Sequence, residues 1–435
     1  MITSTMLNLK LISLIFILAV FINSIIIYEL IHLDSTSYFN KFELGFWAIP
    51  IFSSDLFLLG VGILYHKQRL PQILNKFIIF IFKFEISKKI ALITIIIILS
   101  FYVVLNLNGL QQQETFIDTP LGLEAAKNWQ LQLSQWVIGA NLKYFFLHYS
   151  FYIFHNFRII PFLASMSIAI LTYLITADIS KKRFAGIIAM VSLLQSPLFF
   201  KYASTATYEN FWILFYILSL YLIHRWYLSS FAYVLSLMSK GLTTIYFPMS
   251  LFFVLRSDST KKNKIMNLII YAMIIAYIMI SFFTNNLQPY IPGDNVFHEK
   301  EFWTGFSATE SFLKSDGLIL ILLLPVVFGL IMTVGKGVKQ ADSIMILITG
   351  ILMTPPLLAG FSTITNGDYR MIPLVVFFAI GLGTIFSSKN NAIVQSKKIG
   401  LGSYCVFALT TTILILVMTD VIFPHLVHRY YLAFL

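Results

Sequence analysis

The acidic side chains of one loop are the residues of this chain best suited to chemistry. Glu114, Asp118 and Glu124, three of the 19 acidic residues, lie between two long apolar runs. A carboxylate can remove a proton from an acceptor hydroxyl, and partial removal from water raises its proton affinity. The same loop carries an amphipathic pattern with two tryptophans, which is typical of a helix on a membrane surface. The pattern predicts chemistry on a lipid-borne substrate at a membrane boundary.

The composition restricts the class of protein. Hydrophobic residues make up 58% of the chain and charged residues 11%, which excludes a soluble domain and indicates a polytopic membrane protein. The single cysteine, Cys405, excludes an internal disulfide and a cysteine-based metal site. The net charge of +11 does not indicate nucleic-acid binding, because the basic residues cluster in short loops between apolar runs.

The apolar runs predict an all-α bundle of about thirteen transmembrane helices. The twelve runs, of which one is a hairpin broken at Ser239–Gly241, are Leu9–Leu30, Gly45–Tyr65, Ile90–Leu107, Ile159–Asp178, Phe184–Phe200, Asn210–Tyr227, Phe231–Leu255, Met266–Phe283, Gly317–Val334, Ser343–Phe361, Met371–Phe386 and Gly400–Ile422. We further expect interfacial helices on the outer face within Pro120–Phe157, and a second long outer loop over Thr284–Asp316.

The distribution of basic residues predicts the orientation. Most lysines and arginines fall in one set of alternating loops, which places those loops in the cytoplasm, whereas most acidic residues fall on the opposite side. With an odd number of crossings, this multi-pass protein has a cytoplasmic N-terminus and a C-terminus outside.

The order of these features resembles a known class of membrane enzymes. Asp118 is followed by LEAAKNW, the aromatic stretch LKYFFLHYSFYIF and Arg158 at the start of a span. A short outer turn then presents Glu209 in TATYENFW, and DYRMIPL opens a late span. Together these features resemble the GT-C glycosyltransferases, the class of protein O-mannosyltransferases and bacterial aminoarabinose transferases. The resemblance covers roughly Ile90 to Phe386.

This chain departs from the GT-C pattern in three ways. Asp118 is followed by Thr-Pro-Leu rather than by an Asp-Glu-X-X-Tyr-like string. The base could therefore be Glu114 or Glu124 instead. Two additional spans precede the similar region, and no soluble domain follows it. The resemblance thus implies three parts: an additional N-terminal hairpin with a basic cytoplasmic loop (1–89), a GT-C-like catalytic module (90–386), and a C-terminal helix with a short outer tail (387–435).

The resemblance implies transfer of a sugar from a polyprenyl-phosphate donor to a protein or glycolipid acceptor on the outer face. Such transfer needs a carboxylate as base and cations beside the departing phosphate. The expected catalytic residues are Asp118, Glu209 and Glu114, and the expected substrate-binding residues are Arg158, Lys240, Arg370, Tyr369 and Glu124. Membrane lipids are expected partners and nucleic acid is not. No cofactor or metal ligand set is expected, and a requirement for a divalent metal is left open.

Each of these residues also has a structural interpretation. Asp118 can cap the helix that Pro120 begins, and Glu209 can be stabilised by a helix dipole. Arg158 and Arg370 can extend to lipid headgroups. The alternative functions are a transporter, which the break at Ser239–Gly241 favours, and a non-catalytic subunit of a membrane complex. The sequence has no evident internal repeat, and its acids concentrate in outer loops, which favours the enzyme.

Overall fold

The structure is a computed structural model of the 435-residue chain. It describes residues 45–66, 69–112, 114, 123, 126–128, 141–207, 209–283, 297–361, 367–387 and 399–422. The predicted span Leu9–Leu30 lies outside these residues, as do Asp118 and Glu124. Within the described residues the regular structure is entirely helical.

The helices follow the apolar runs of the sequence. In chain order they are α1 (Ala48–His66), α2 (Gln72–Lys83), α3 (Lys88–Gln111), α4 (Asn141–Phe154), α5 (Ile159–Ser180), α6 (Arg183–Leu194), α7 (Pro197–Ala203), α8 (Glu209–Tyr221), α9 (Trp226–Ser239), α10 (Phe247–Arg256), α11 (Lys261–Phe283), α12 (Glu299–Leu313), α13 (Gly317–Gly335), α14 (Gln340–Phe361), α15 (Ile372–Ile385) and α16 (Leu401–Ile422). Short 3₁₀ helices at Leu222–His224, Gly241–Tyr246 and Asp368–Met371 adjoin α8, α10 and α15.

Seven helices among the described residues are long and apolar enough to cross a membrane, namely α3, α5, α11, α13, α14, α15 with its preceding 3₁₀ turn, and α16. The pair α6 and α7, bent by 72°, provides an eighth if it forms one broken span. Shorter apolar helices occur at Ala48–Leu64, Glu209–His224 and Thr243–Arg256. The chain is therefore an all-α protein with multiple candidate membrane spans.

Two compact units divide the chain. The first unit comprises Met1–Phe84 and Gly293–Leu435, and the second comprises Glu85–Pro292. The three-part division inferred from sequence stays a prediction.

In the second unit, helices run back and forth between two ends. At the basic end, the backbone N–H of Arg183 donates to Glu85 Oε1 (3.1 Å), and His224 Nε2 lies 3.8 Å from Asp178 Oδ2. At the opposite end, where α3 finishes and α5 begins, Arg158 pairs with Glu114. We call this opposite end the ion-pair end.

In the first unit, α12 corrects the prediction of one long loop over Thr284–Asp316, because a fifteen-residue helix forms within it. Its Gly305 lies so close to α14 that an added Cβ would lie 2.4 Å from Pro356 Cα. This contact allows α12 to pack against α14 along its length. Tertiary packing of this kind stabilises a helix whose sequence is only weakly apolar.

Candidate functional site

The ion-pair end is built around the short turn of residues 204–207, which leads from α7 into α8. The chain reaches the turn through the bend between α6 and α7, where Ser196 Oγ accepts the N–H of Phe199 and Pro197 begins the new helix. After the turn, Thr207 Oγ1 accepts the N–H of Glu209 at 3.2 Å and so caps the start of α8. Glu209 is thereby fixed at the first position of a helix.

A buried ion pair holds one side of this turn. Arg158 Nε lies 3.1 Å from Glu114 Oε2, and the two side chains are only 5% and 7% exposed. The same Glu114 oxygen accepts the backbone N–H of Ala206 at 2.8 Å. Glu114, which follows α3, is therefore bound through one oxygen atom both to the start of α5 and to the turn.

Arg158 and Asn156 donate hydrogen bonds to carbonyl groups in the last turn of α3. The Arg158 Nη1 group donates to the carbonyl of Gly109 at 2.5 Å, and Asn156 Nδ2 donates to the carbonyl of Leu110 at 2.7 Å. The last carbonyls of a helix have no partner within it and carry a partial negative charge, so a cation is favourable there. The Arg158 guanidinium group thus contacts both the C-terminal end of α3 and the Glu114 carboxylate.

A second buried ion pair follows the turn. Glu209, whose exposed fraction is 0%, contacts the ammonium group of Lys240 through Oε1 and accepts the indole N–H of Trp212 through Oε2. The Lys240 ammonium also lies over the Trp212 ring, 5.9 Å from its centroid. Because Glu209 and Trp212 are three residues apart on one helix face, each supports the orientation of the other.

The break between α9 and α10 positions Lys240. α9 ends at Ser239, and Lys240 adopts extended backbone before the 3₁₀ turn, as the sequence predicted. Thr243 Oγ1 donates to the Lys240 carbonyl at 2.9 Å. Beneath the pair, Trp212 stacks on Tyr246 with ring centroids 5.5 Å apart and an interplanar angle of 11°. Stacking of this kind restricts the indole to one orientation.

These four ionisable side chains form two neutral pairs. Charges removed from water must be paired, because an unpaired buried charge is strongly destabilising. The Lys240 side chain is 15% exposed and is the most accessible of the four. An incoming anion such as a phosphate could therefore approach Lys240 and compete with Glu209 for it.

Parts of the acidic loop pack beside this site. Ala126 belongs to a buried cluster that includes Leu147 of α4, Ala206 of the turn and Phe211 of α8, with Leu123 packed against it. The Nδ1 atom of His148 is 2.9 Å from the carbonyl of Ala126, so this histidine contacts backbone. Asp118 and Glu124 lie outside the described residues.

Arg370 and Tyr369 belong to the first unit. They lie in the 3₁₀ turn Asp368–Met371 that leads into α15, where Arg370 N donates to the carbonyl of Gly367 at 3.1 Å. An added Cβ at Gly367 would lie 2.1 Å from Tyr369 Cε1, so only glycine fits against this buried ring. Pro373 lies in the first turn of α15, as the sequence predicted.

Among the described residues, no group of three or more histidine, cysteine, aspartate or glutamate side chains is arranged to hold a metal ion. Of the predicted site residues, the structure brings Glu114, Arg158, Glu209 and Lys240 to the ion-pair end of the second unit.

The sequence did not indicate which acid pairs with which cation. The contact between Trp212 and Glu209 was also not predicted, although their spacing of three residues on a helix would have indicated it. Comparison of the chain with protein-family models, curated proteins and solved structures gave no significant match.

Proposed function

We propose that this protein is a membrane glycosyltransferase that moves a sugar from a polyprenyl-phosphate donor to a protein or glycolipid acceptor. The observation that supports it most is the buried Glu209–Lys240 pair beside the Glu114–Arg158 pair. Buried ionisable groups in membrane proteins are costly and are usually retained for function. The resemblance to GT-C enzymes supplies the reaction class.

The proposal places the ion-pair end on the outer side of the membrane. In the second unit, Lys88, Lys181 and Arg183 occupy the opposite end, and basic loops are expected in the cytoplasm. Interfacial helices on that outer face, about thirteen crossings in total, a cytoplasmic N-terminus and an outer C-terminus remain part of the proposal.

Helix length suggests that Lys240 lies below the outer boundary. α9 has 14 residues and hence extends about 21 Å from the basic end, whereas the hydrocarbon core is about 30 Å thick. A phosphate bound at this depth would be partly removed from water, which strengthens its attraction to an ammonium group. We assign Lys240 to the phosphate of the donor, with Arg158 supporting the site electrostatically.

Asp118 remains our choice for the base. Both oxygens of Glu209 already accept from Lys240 and Trp212, so neither oxygen is open to an acceptor hydroxyl in this arrangement. Asp118 follows Glu114 by four residues, and four residues of extended chain span at most about 14 Å. In this proposal Asp118 takes the acceptor proton, while Glu209 and Glu114 hold the cations. Glu124 is assigned to the same loop as a substrate-binding residue.

For Arg370 and Tyr369, which belong to the first unit, donor binding stays a prediction from the resemblance. The guanidinium fork suits phosphate oxygens, so Arg370→Lys should weaken donor binding although the charge is kept. Unchanged donor affinity in both Arg370→Lys and Arg370→Ala would show that Arg370 does not bind the donor.

The activity is testable with the purified chain in nanodiscs. A panel of radiolabelled polyprenyl-phosphate sugars should be bound, and at least one should be consumed. Parallel flux measurements in liposomes address the transporter alternative. Solute transport without binding or consumption of any donor would contradict the proposal.

A further inference from the structure

Helix α2 (Gln72–Lys83) is too short to cross a membrane and has no buried residue. Its 12 residues extend about 18 Å, against a hydrocarbon core of about 30 Å. Yet it is strongly apolar, with the sequence QILNKFIIFIFK. An apolar helix that neither spans the membrane nor enters the protein core requires another apolar environment.

One face of α2 is a continuous exposed stripe. Ile73, Phe77 and Phe80 recur at the spacing of four and three residues that aligns side chains on a helix, and they are 83%, 58% and 60% exposed. On the opposite edge, the Phe82 ring contacts the tilted ring of Phe386 with centroids 5.7 Å apart, and the Lys336 ammonium lies 4.6 Å from the Phe82 ring centroid. The helix is therefore anchored on one side and leaves the stripe free to contact something else.

Basic residues accompany this stripe. Lys76 and Lys83 are seven residues apart, so they share a helix face next to the stripe, and Arg69 precedes the helix. Residues 69–84 contain these three cations and no acidic residue. An apolar stripe bordered by lysines is the pattern of a helix that lies in a membrane surface rich in anionic lipid.

We propose that α2 lies in the plane of the membrane, in the leaflet that its own basic residues favour, and that this leaflet is rich in anionic lipid. Ile73, Phe77 and Phe80 insert between the lipid chains, and Lys76 and Lys83 contact lipid phosphates. Charge complementarity selects this occupant, because an acyl-chain environment alone would not require the lysines. The inference is independent of the proposed glycosyltransferase activity.

Site-directed spin labelling of the full chain tests this directly. In a Cys405→Ser background, a single nitroxide is placed at Phe77 on the stripe or at Gln72 on the polar face. The protein is reconstituted in nanodiscs of phosphatidylcholine with or without phosphatidylglycerol. Collision rates with oxygen, which concentrates in lipid, and with a water-soluble nickel chelate are then compared.

We expect the ratio of oxygen to nickel collisions at Phe77 to exceed that at Gln72 severalfold in phosphatidylglycerol discs. The Lys76→Gln/Lys83→Gln double variant should lower the Phe77 ratio toward its value in pure phosphatidylcholine. The double variant Lys261→Gln/Lys262→Gln removes two exposed lysines elsewhere and should leave the ratio unchanged.

Three outcomes would overturn the proposal. High nickel accessibility at Phe77 in both lipids would mean that the stripe faces water. Low collision rates with both reagents would mean that protein, either another segment or a second copy, covers it. A high oxygen ratio that is insensitive to phosphatidylglycerol and to the two lysines would exclude anionic lipid recognition.

Discussion

The ammonium group of Lys240 contacts the buried carboxylate of Glu209 across 31 residues of sequence. The contact closes the α8–α9 hairpin at the ion-pair end, and Trp212 touches both partners. Each member therefore depends on the other two for its position. Single and double variants of Glu209 and Lys240 can therefore test whether the two charges stabilise the protein only as a pair.

Removal of one member of this pair should destabilise the protein more than removal of both. Lys240→Met leaves a buried carboxylate without its cation, and Glu209→Gln leaves the ammonium without its anion. Breaking a buried pair in this way costs about 3–5 kcal/mol, whereas apolar replacement of a whole pair is often nearly neutral. Thermal midpoints of the detergent-solubilised protein should fall in each single variant and recover partly in Lys240→Met/Glu209→Gln.

Equal losses that add in the double variant would mean that the two side chains are not coupled. In that case Glu209 and Lys240 would act separately, and the competition of phosphate with Glu209 for Lys240 would have no basis.

Trp212→Phe should reduce donor turnover by about tenfold or more, because a hydrogen bond to a charged group contributes about 1.5–3 kcal/mol. The phenyl ring can still stack on Tyr246, so the loss reports the indole N–H that Glu209 accepts. Tyr216→Phe is the control, since it removes a buried hydroxyl that bonds Ser250 rather than Glu209. Equal turnover in the two variants would show that Trp212 does not position Glu209.

Arg158→Lys should destabilise the ion-pair end although it keeps the charge. One ammonium group cannot serve Glu114 Oε2 and the Gly109 carbonyl with the geometry of the guanidinium fork. We expect a loss of about 1–3 kcal/mol in unfolding free energy, the cost of an unsatisfied buried group. The exposed Arg225 offers a matched control, and Arg225→Lys should have little effect. A wild-type unfolding profile for Arg158→Lys would contradict the double role of this arginine.

A polar ladder in the first unit should matter for stability but not for donor binding. Ser403 of α16 donates to the buried Asp342 of α14 at 2.8 Å, and seven residues further on Thr410 contacts Thr349. Ser403→Ala should lower the thermal midpoint. Thr411→Val should not, since the buried Thr411 hydroxyl has no hydrogen-bond partner among the described residues. Reduced donor affinity in Ser403→Ala would contradict this purely structural role of the ladder.

The long apolar helices could be predicted from sequence because hydropathy alone determines them. The run Ile90–Leu107 became α3 (Lys88–Gln111), and Ile159–Asp178 became α5 (Ile159–Ser180). The break at Lys240 was also correct, since glycine follows it directly. By contrast, α12 was predicted as loop, because its stability comes from the close approach of Gly305 to Pro356.

The candidate site could be predicted only as a set of residue types. Sequence reasoning selected Glu114, Arg158, Glu209 and Lys240 from the order of features that resembles the GT-C enzymes and from the position of the cations at the ends of spans. Which acid meets which cation depends on how the helices pack, and no local pattern encodes it. Helix α2 was missed because its lysines were interpreted as a cytoplasmic loop, although the spacing of Ile73, Phe77 and Phe80 was visible.

The most direct test of the central claim is sugar release from a radiolabelled polyprenyl-phosphate donor, measured side by side for wild type, Asp118→Asn and Glu124→Gln in nanodiscs. We predict turnover by the wild type, a loss on the order of 10²–10⁴ in Asp118→Asn with donor binding retained, and a much smaller loss in Glu124→Gln. Near-normal turnover in Asp118→Asn with an inactive Glu124→Gln would transfer the role of base to Glu124. The absence of sugar release by the folded wild-type protein across the whole donor panel would contradict the glycosyltransferase account.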